Sequence, residues 1–270
     1  MRHNVGVITL QSPNGDVKTS VYPECGARIG SLSAFGDELL IPGNTHDDPL
    51  TWGCYPMVPY AGRVRDAILE CAGKQFPLRQ NMPPHSIHGT VFDQTWRTLD
   101  VTSYSALLEI ELGDNWPFTG KVQHHVNVTN QSLELQLTVF AVDPMPVQVG
   151  WHPWFVRPVN IEAAFNTLYV RDSDGIAHER RAYQQHDLTQ ESLDDCFADA
   201  LTAPLLNFEN GPTVRLETDC SHWVVYNEPS HAICVEPQSG PPNGLNSEPL
   251  VVSPNHPLTR YFRLTALGYR

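Results

Sequence analysis

A chain of 270 residues with 30 acidic and 17 basic side chains carries a formal net charge of −13 at neutral pH. That balance argues against non-specific nucleic-acid binding and against anionic membrane surfaces, both of which need clustered positive charge. Hydrophobic residues at 41% suffice for a core, while 23 prolines and 18 glycines interrupt helices too often for a protein built of long ones.

Period-two alternation runs through the chain and predicts short strands. Residues 5–10 and Val17–Tyr22 open the series. Leu108, Ile110 and Leu112 then alternate with polar residues, and so do Val122, Val126 and Val128 after a turn-rich stretch at 113–120. Leu133, Leu135, Leu137 and Val139 put four aliphatics on one face. Residues 223–226, 232–235 and 261–267 complete the set, and Pro/Gly clusters separate the runs. Only residues 189–203 offer room for a helix of reasonable length. Many short strands with almost no helix between them predict an all-β antiparallel sandwich. With no repeat and no linker composition, residues 1–270 read as a single domain.

The six cysteines are scattered without a C-x-x-C pair, which argues against a cysteine-type zinc site or a dense disulfide scaffold. The chain start lacks an apolar signal-peptide region, and no segment approaches the ~18 apolar residues of a membrane span. The expectation is a reduced, soluble, cytoplasmic protein. The phosphate-loop, dinucleotide, zincin and α/β-hydrolase motifs are all missing from the sequence.

What remains is a set of polar residues at strand ends and in Pro/Gly loops. Arg63 follows Pro59-Tyr-Ala-Gly62, and taken alone is either a solvated cation or a ligand contact. His85 and His88 follow Pro83-Pro84; prolines disfavour the helical geometry a metal pair would use, and no third ligand stands nearby. His152 is bracketed by Trp151 and Trp154, which are either core packing or the aromatic wall of a sugar site. Asp194 and Asp195 either cap a turn or face a ligand. Glu236 ends the apolar run 233–235, where an unpaired buried ion would be costly; it is the residue singled out for a specific role.

In order along the chain, these motifs resemble the aldose 1-epimerase (galactose mutarotase) family. They are Pro59-Tyr-Ala-Gly-Arg63, Ser86-Ile-His-Gly89 with Trp96 after it, and Pro144-Met-Pro146 leading to Gly150-Trp-His-Pro-Trp-Phe155. Asp194-Asp-Cys-Phe197 and Val235-Glu-Pro-Gln238 follow. The resemblance covers residues 55–267 and implies a large β-sandwich with an open carbohydrate groove. It implies Glu236 as general base and His152 as general acid, with His88 and Arg63 polarising the substrate. Asp194, preferred over Asp195 because Phe197 lies three positions on, would hold sugar hydroxyls. Trp151, Trp154 and Gln238 complete the expected binding set.

The implied partner is a monosaccharide, bound by a monomer or a homodimer without metal or cofactor. Ordinary pKa values, roughly 4 for a carboxylate and 6.5 for imidazole, would make Glu236 anionic beside a cationic His152. The family's usual Asn before the Arg is Gly62 here, and its usual second Gly after His-Gly is Thr90. The hexose-6-phosphate branch typically reads His-Gly-Phe-Ala-Arg where this chain has His88-Gly-Thr-Val-Phe92, so a neutral aldose is favoured. Alternatives are a phosphorylated hexose, with Arg65 or Arg97 near the groove, a non-catalytic carbohydrate-binding protein, and a glycoside hydrolase using Glu236 and Asp194.

Overall fold

The alternating runs pair into two broad antiparallel sheets in the computed structural model, which describes residues 6–189 and 192–269. The larger sheet has twelve strands among the described residues. Its centre runs in the order Arg28–Ala34, Cys54–Met57, Gly150–Pro153, Ala232–Gln238, His222–Tyr226, Asp194–Ala200, Phe165–Arg171. The second sheet has eight, including Ser105–Glu111, Gly120–Val128, Ser132–Ala141 and Leu258–Tyr269 as successive neighbours. Five of these strands contain a run expected from alternation: His222–Tyr226, Ala232–Gln238, Gly120–Val128, Ser132–Ala141 and Leu258–Tyr269. Val17–Tyr22 matches end to end, whereas the 133–139 run grows to Ser132–Ala141 because its flanks pair too. No described helix is long and apolar enough to cross a membrane.

The core lies between the sheets. Leu108, Val122, Val126, Leu135, Leu137 and Phe262 meet Trp151, Phe155, Phe197, Val225, Ile233 and Val235 of the larger sheet in one buried cluster. Each side chain so buried contributes roughly 1.5–3 kcal/mol. Strand pleat then decides what the opposite face carries. Because Ile233 and Val235 point inward, Cys234, Glu236 and Gln238 point outward; because Trp151 points inward, His152 points outward. Loops cover this outer face, so all seven residues of Ala232–Gln238 are buried although only one side packs on the core.

Two expectations change. The one stretch with room for a helix, 189–203, instead carries a strand, Asp194–Ala200, paired on both sides; residues 190 and 191 lie outside the described residues. Its Asp-Asp-Cys-Phe run has a period of two once neighbours are known: Asp194 and Cys196 face the outer loops and Phe197 the core. Glu236 also does not end its strand, which continues to Gln238 through pairing with His222.

Candidate active site

A cavity of about 370 Å³ opens on the outer face of the larger sheet. Its wall includes seven of the eight residues singled out from the sequence: Arg63, His88, His152, Trp154, Asp194, Glu236 and Gln238. Trp151 is the exception and a correction. It is fully buried in the core, where its indole Nε1 donates to His124 Nε2 at 3.3 Å. Adjacent strand residues cannot share a face, so His152 and Trp154 reach the cavity and Trp151 cannot.

Strand register makes the central pair. Gly150 lies opposite Gln238, and two residues further along each strand His152 meets Glu236. His152 Nε2 and Glu236 Oε1 are 3.2 Å apart, with the side chains 6% and 2% exposed. Gln238 Nε2 donates to the other carboxylate oxygen at 3.0 Å and fixes its orientation. The imidazole is clamped on both faces, by Tyr55 at 4.9 Å and 22° and by Trp154 at 5.3 Å and 16°. His88 approaches it edge-on at 4.9 Å.

Backbone shape places His88. Its φ is +58° and its N–H donates to the Gly62 carbonyl. The next residue must be glycine: a Cβ at Gly89 would lie 2.0 Å from the Val58 carbonyl oxygen. His85 turns away and accepts a hydrogen bond from the Asp66 N–H through Nδ1, so the two histidines do not act as a pair.

Burial dominates the electrostatics. Desolvation pushes the Glu236 carboxyl well above its ordinary range, and the nearby Asp194 charge adds to the rise. Desolvation pulls His152 down to about 3 and His88 well below its usual value. The anionic Glu236 and cationic His152 expected from ordinary pKa values are therefore not the forms burial favours. Behind Tyr55 lies a further cation, Arg28, fully buried and donating to the carbonyls of Cys25, Pro49, Trp52 and Phe92. Its guanidinium sits 5.1 Å over the Tyr55 ring and adds to the depression of His152.

At the opposite wall, Asp194 receives two cations. Arg171 Nη1 is 2.7 Å and Arg63 Nη1 3.6 Å from its Oδ2. Arg63 is held from above by the 172–175 turn, where a Cβ on Gly175 would fall 2.2 Å from Arg63 Nη1. Arg65 anchors that turn through Asp172 and Asp174. Arg171 and Tyr55 line the cavity but were not foreseen. Each lies on a short strand whose outward face is known only once its neighbours are.

Several buried polar atoms on the wall have no protein partner: Tyr55 Oη, His88 Nδ1, Trp154 Nε1 and Gln238 Oε1. Orphaned donors and acceptors around an aromatic-walled cavity match a small molecule rich in hydroxyls. A carboxyl and an imidazole in contact at its floor can pass protons to and from such a molecule.

Residues 7–265 match the aldose 1-epimerase family. The uncharacterized protein YihR of Escherichia coli (strain K12) is 23% identical, over 88% of this chain and 86% of its own length. The uncharacterized protein YphB of the same organism is 25% identical, over 43% of this chain and 41% of its own length. Among solved structures, the GalM/aldose epimerase homologue from C. elegans superposes with a TM-score of 0.85 at 15% identity, covering 98% of this chain and 99% of that one. Galactose 1-epimerase from Lactobacillus acidophilus NCFM gives 0.80 at 17% identity, covering 98% and 95%. At those identities the structures establish the fold, and the family match spans nearly the whole chain: this protein belongs to the aldose 1-epimerase family.

Proposed function

We propose that the protein interconverts the α and β anomers of a neutral aldose. The observation that carries this reading is the His152–Glu236 contact of 3.2 Å on the floor of a cavity lined by unpartnered polar atoms. Ring opening of a cyclic hemiacetal removes the proton from the C1 hydroxyl, breaks the bond between C1 and the ring oxygen, and delivers a proton to that oxygen. Rotation about C1–C2 and closure on the other face of the aldehyde then reverse both transfers. A pair holding one proton does this without net change: one member donates to the ring oxygen while the other accepts from the hydroxyl. Glu236 as base and His152 as acid is one tautomer of that couple, and burial favours the other in the empty cavity. Because opening and closing exchange the roles, both tautomers are used in each turnover.

His88 is held neutral by burial and suits hydrogen bonding to the sugar rather than a second charge. Arg63, which cannot give up its proton, stabilises charge developing on oxygen. Asp194 is oriented by Arg171 to accept from hydroxyls, and Trp154 offers an apolar face to the C–H side of the ring.

A neutral sugar is favoured over a phosphosugar. The wall carries the carboxylates of Asp48, Asp194 and Glu228 against Arg63 and Arg171. Arg65 is committed to Asp172 and Asp174, and Arg97 to Glu109 on the second sheet at 2.5 Å. Polarimetry of freshly dissolved α-glucose and α-galactose tests the proposal, with glucose 6-phosphate as comparison. Acceleration over buffer supports it. Tight calorimetric binding without acceleration would instead make the protein a sugar-binding relative.

A further inference from the structure

We infer that the floor of the cavity is also a binding site for a thiophilic divalent cation, built from His152, Cys234 and Glu236. One nitrogen of His152, the Cys234 sulfur and one carboxylate oxygen of Glu236 all lie within 4.8 Å of one another, and all three residues are buried. Cys234 and Glu236 are two apart on the Ala232–Gln238 strand and so share a face. His152 comes from the neighbouring antiparallel strand opposite Glu236. Two ligands spaced i, i+2 on one strand and a third across the ladder form a triangle that a sheet holds rigidly.

The donor set selects the ion. A thiolate, an imidazole and a carboxylate suit zinc or cadmium, whereas magnesium and calcium take oxygen ligands. Zinc–ligand distances near 2.0–2.3 Å correspond to roughly 3.5 Å between tetrahedral ligands, so the triangle, with no side above 4.8 Å, must tighten by about 1.3 Å at most. Three protein ligands leave a fourth position for water or a hydroxyl; His152 and Glu236 line the cavity, and Cys234 is buried beside them. Preorganisation is already present: Tyr55 and Trp154 clamp the imidazole plane, and Gln238 holds the carboxylate from outside. Binding displaces the thiol proton and the one proton that the His152–Glu236 pair holds, both released to solvent, leaving thiolate, neutral imidazole and carboxylate on the metal.

If the pair is the acid and base proposed above, on which this consequence rests, the ion engages the two side chains that exchange protons and acts as a reversible inhibitor. Cobalt(II) is the probe of binding. One equivalent added to the intact protein should give a thiolate-to-cobalt charge-transfer band in the near ultraviolet. Cys234→Ser and Cys234→Ala should each abolish that band, and Cys196→Ser, at a wall cysteine outside the triangle, should keep it. Zinc affinity should fall at least ~10-fold in the Cys234 variants, the lower end of what disturbing even the outer shell of a metal site produces. No band in the wild type, or a band that survives in both Cys234 variants, overturns the site.

The inhibition is read separately. Zinc should slow anomer interconversion by the wild type and EDTA should restore it, while Cys234→Ser keeps turnover and tolerates at least ~10-fold more zinc. Equal zinc sensitivity in Cys234→Ser overturns the regulatory role. A wild type that binds cobalt through Cys234 but interconverts no sugar upholds the metal site and overturns the proposed function instead.

Discussion

Replacing Glu236 by glutamine separates what the carboxyl does for chemistry from what it costs the fold. The amide has nearly the same shape, and its oxygen can still accept from Gln238 Nε2, but it cannot take up or release a proton. Losing one positioned proton-transfer group typically costs ~10²–10⁴-fold in rate, or roughly 3–5 kcal/mol of transition-state stabilisation. Stability should move the other way. Desolvation holds the folded pKa of Glu236 above its unfolded value, so the folded protein binds this proton more tightly than the unfolded chain. The resulting stability is full below the unfolded pKa, near 4.5, and is lost as pH rises through the folded pKa. The glutamine variant is exempt from that loss. Each unit by which the pKa is raised corresponds to about 1.4 kcal/mol, or roughly 2–4 °C in Tm for a chain of this size. Polarimetric kcat together with thermal melts at pH 5 and pH 8 should therefore show an inactive variant whose Tm advantage grows with pH. Activity within 10-fold of wild type, or a Tm difference independent of pH, would refute the reasoning.

Further outcomes follow from the same geometry. The couple is competent with one proton, so kcat/KM should fall only when His152, depressed to about 3, gains a second, or when Glu236 loses its own at raised pH. Activity should therefore persist as pH falls through 6.5, and an acid limb there, measured by polarimetry across buffers, would contradict the burial argument. Gly175→Ala puts a Cβ 2.2 Å from Arg63 Nη1 and should lower kcat/KM about 10-fold, one hydrogen-bonding contact being worth roughly 1.4 kcal/mol. Because alanine is strained at the Gly175 φ of +71°, it should also cost about 1–2 kcal/mol of stability, read as a lower Tm. Unchanged kinetics would mean that Arg63 can move without loss. The two indoles should behave oppositely: Trp151→Ala should cost ~3–5 kcal/mol in chemical denaturation, whereas Trp154→Ala should chiefly raise KM and lower kcat by unclamping His152. Equal effects of the two on KM would return Trp151 to the cavity wall.

Much of this protein was legible in the sequence. Alternation such as Leu133-Glu-Leu-Gln-Leu-Thr-Val139 fixes a strand and its buried face together, because the pleat has a period of two. The ordered motifs brought Arg63, His88, His152, Asp194, Glu236 and Gln238 to notice before any geometry was known. Tertiary structure decided which of them meet, and in what state. His152 and Glu236 lie 84 positions apart, and only the pairing of Gly150 with Gln238 puts them opposite each other. Trp151 and His152 are neighbours in sequence, yet the pleat sends one to the core and the other to the cavity. Arg171 became part of the site when its strand paired with Asp194–Ala200, a stretch where the sequence had room for a helix. Protonation was the last thing decided. A residue's type supplies an ordinary pKa, but the shift comes from the loops that close over the outer face of the sheet and remove its water.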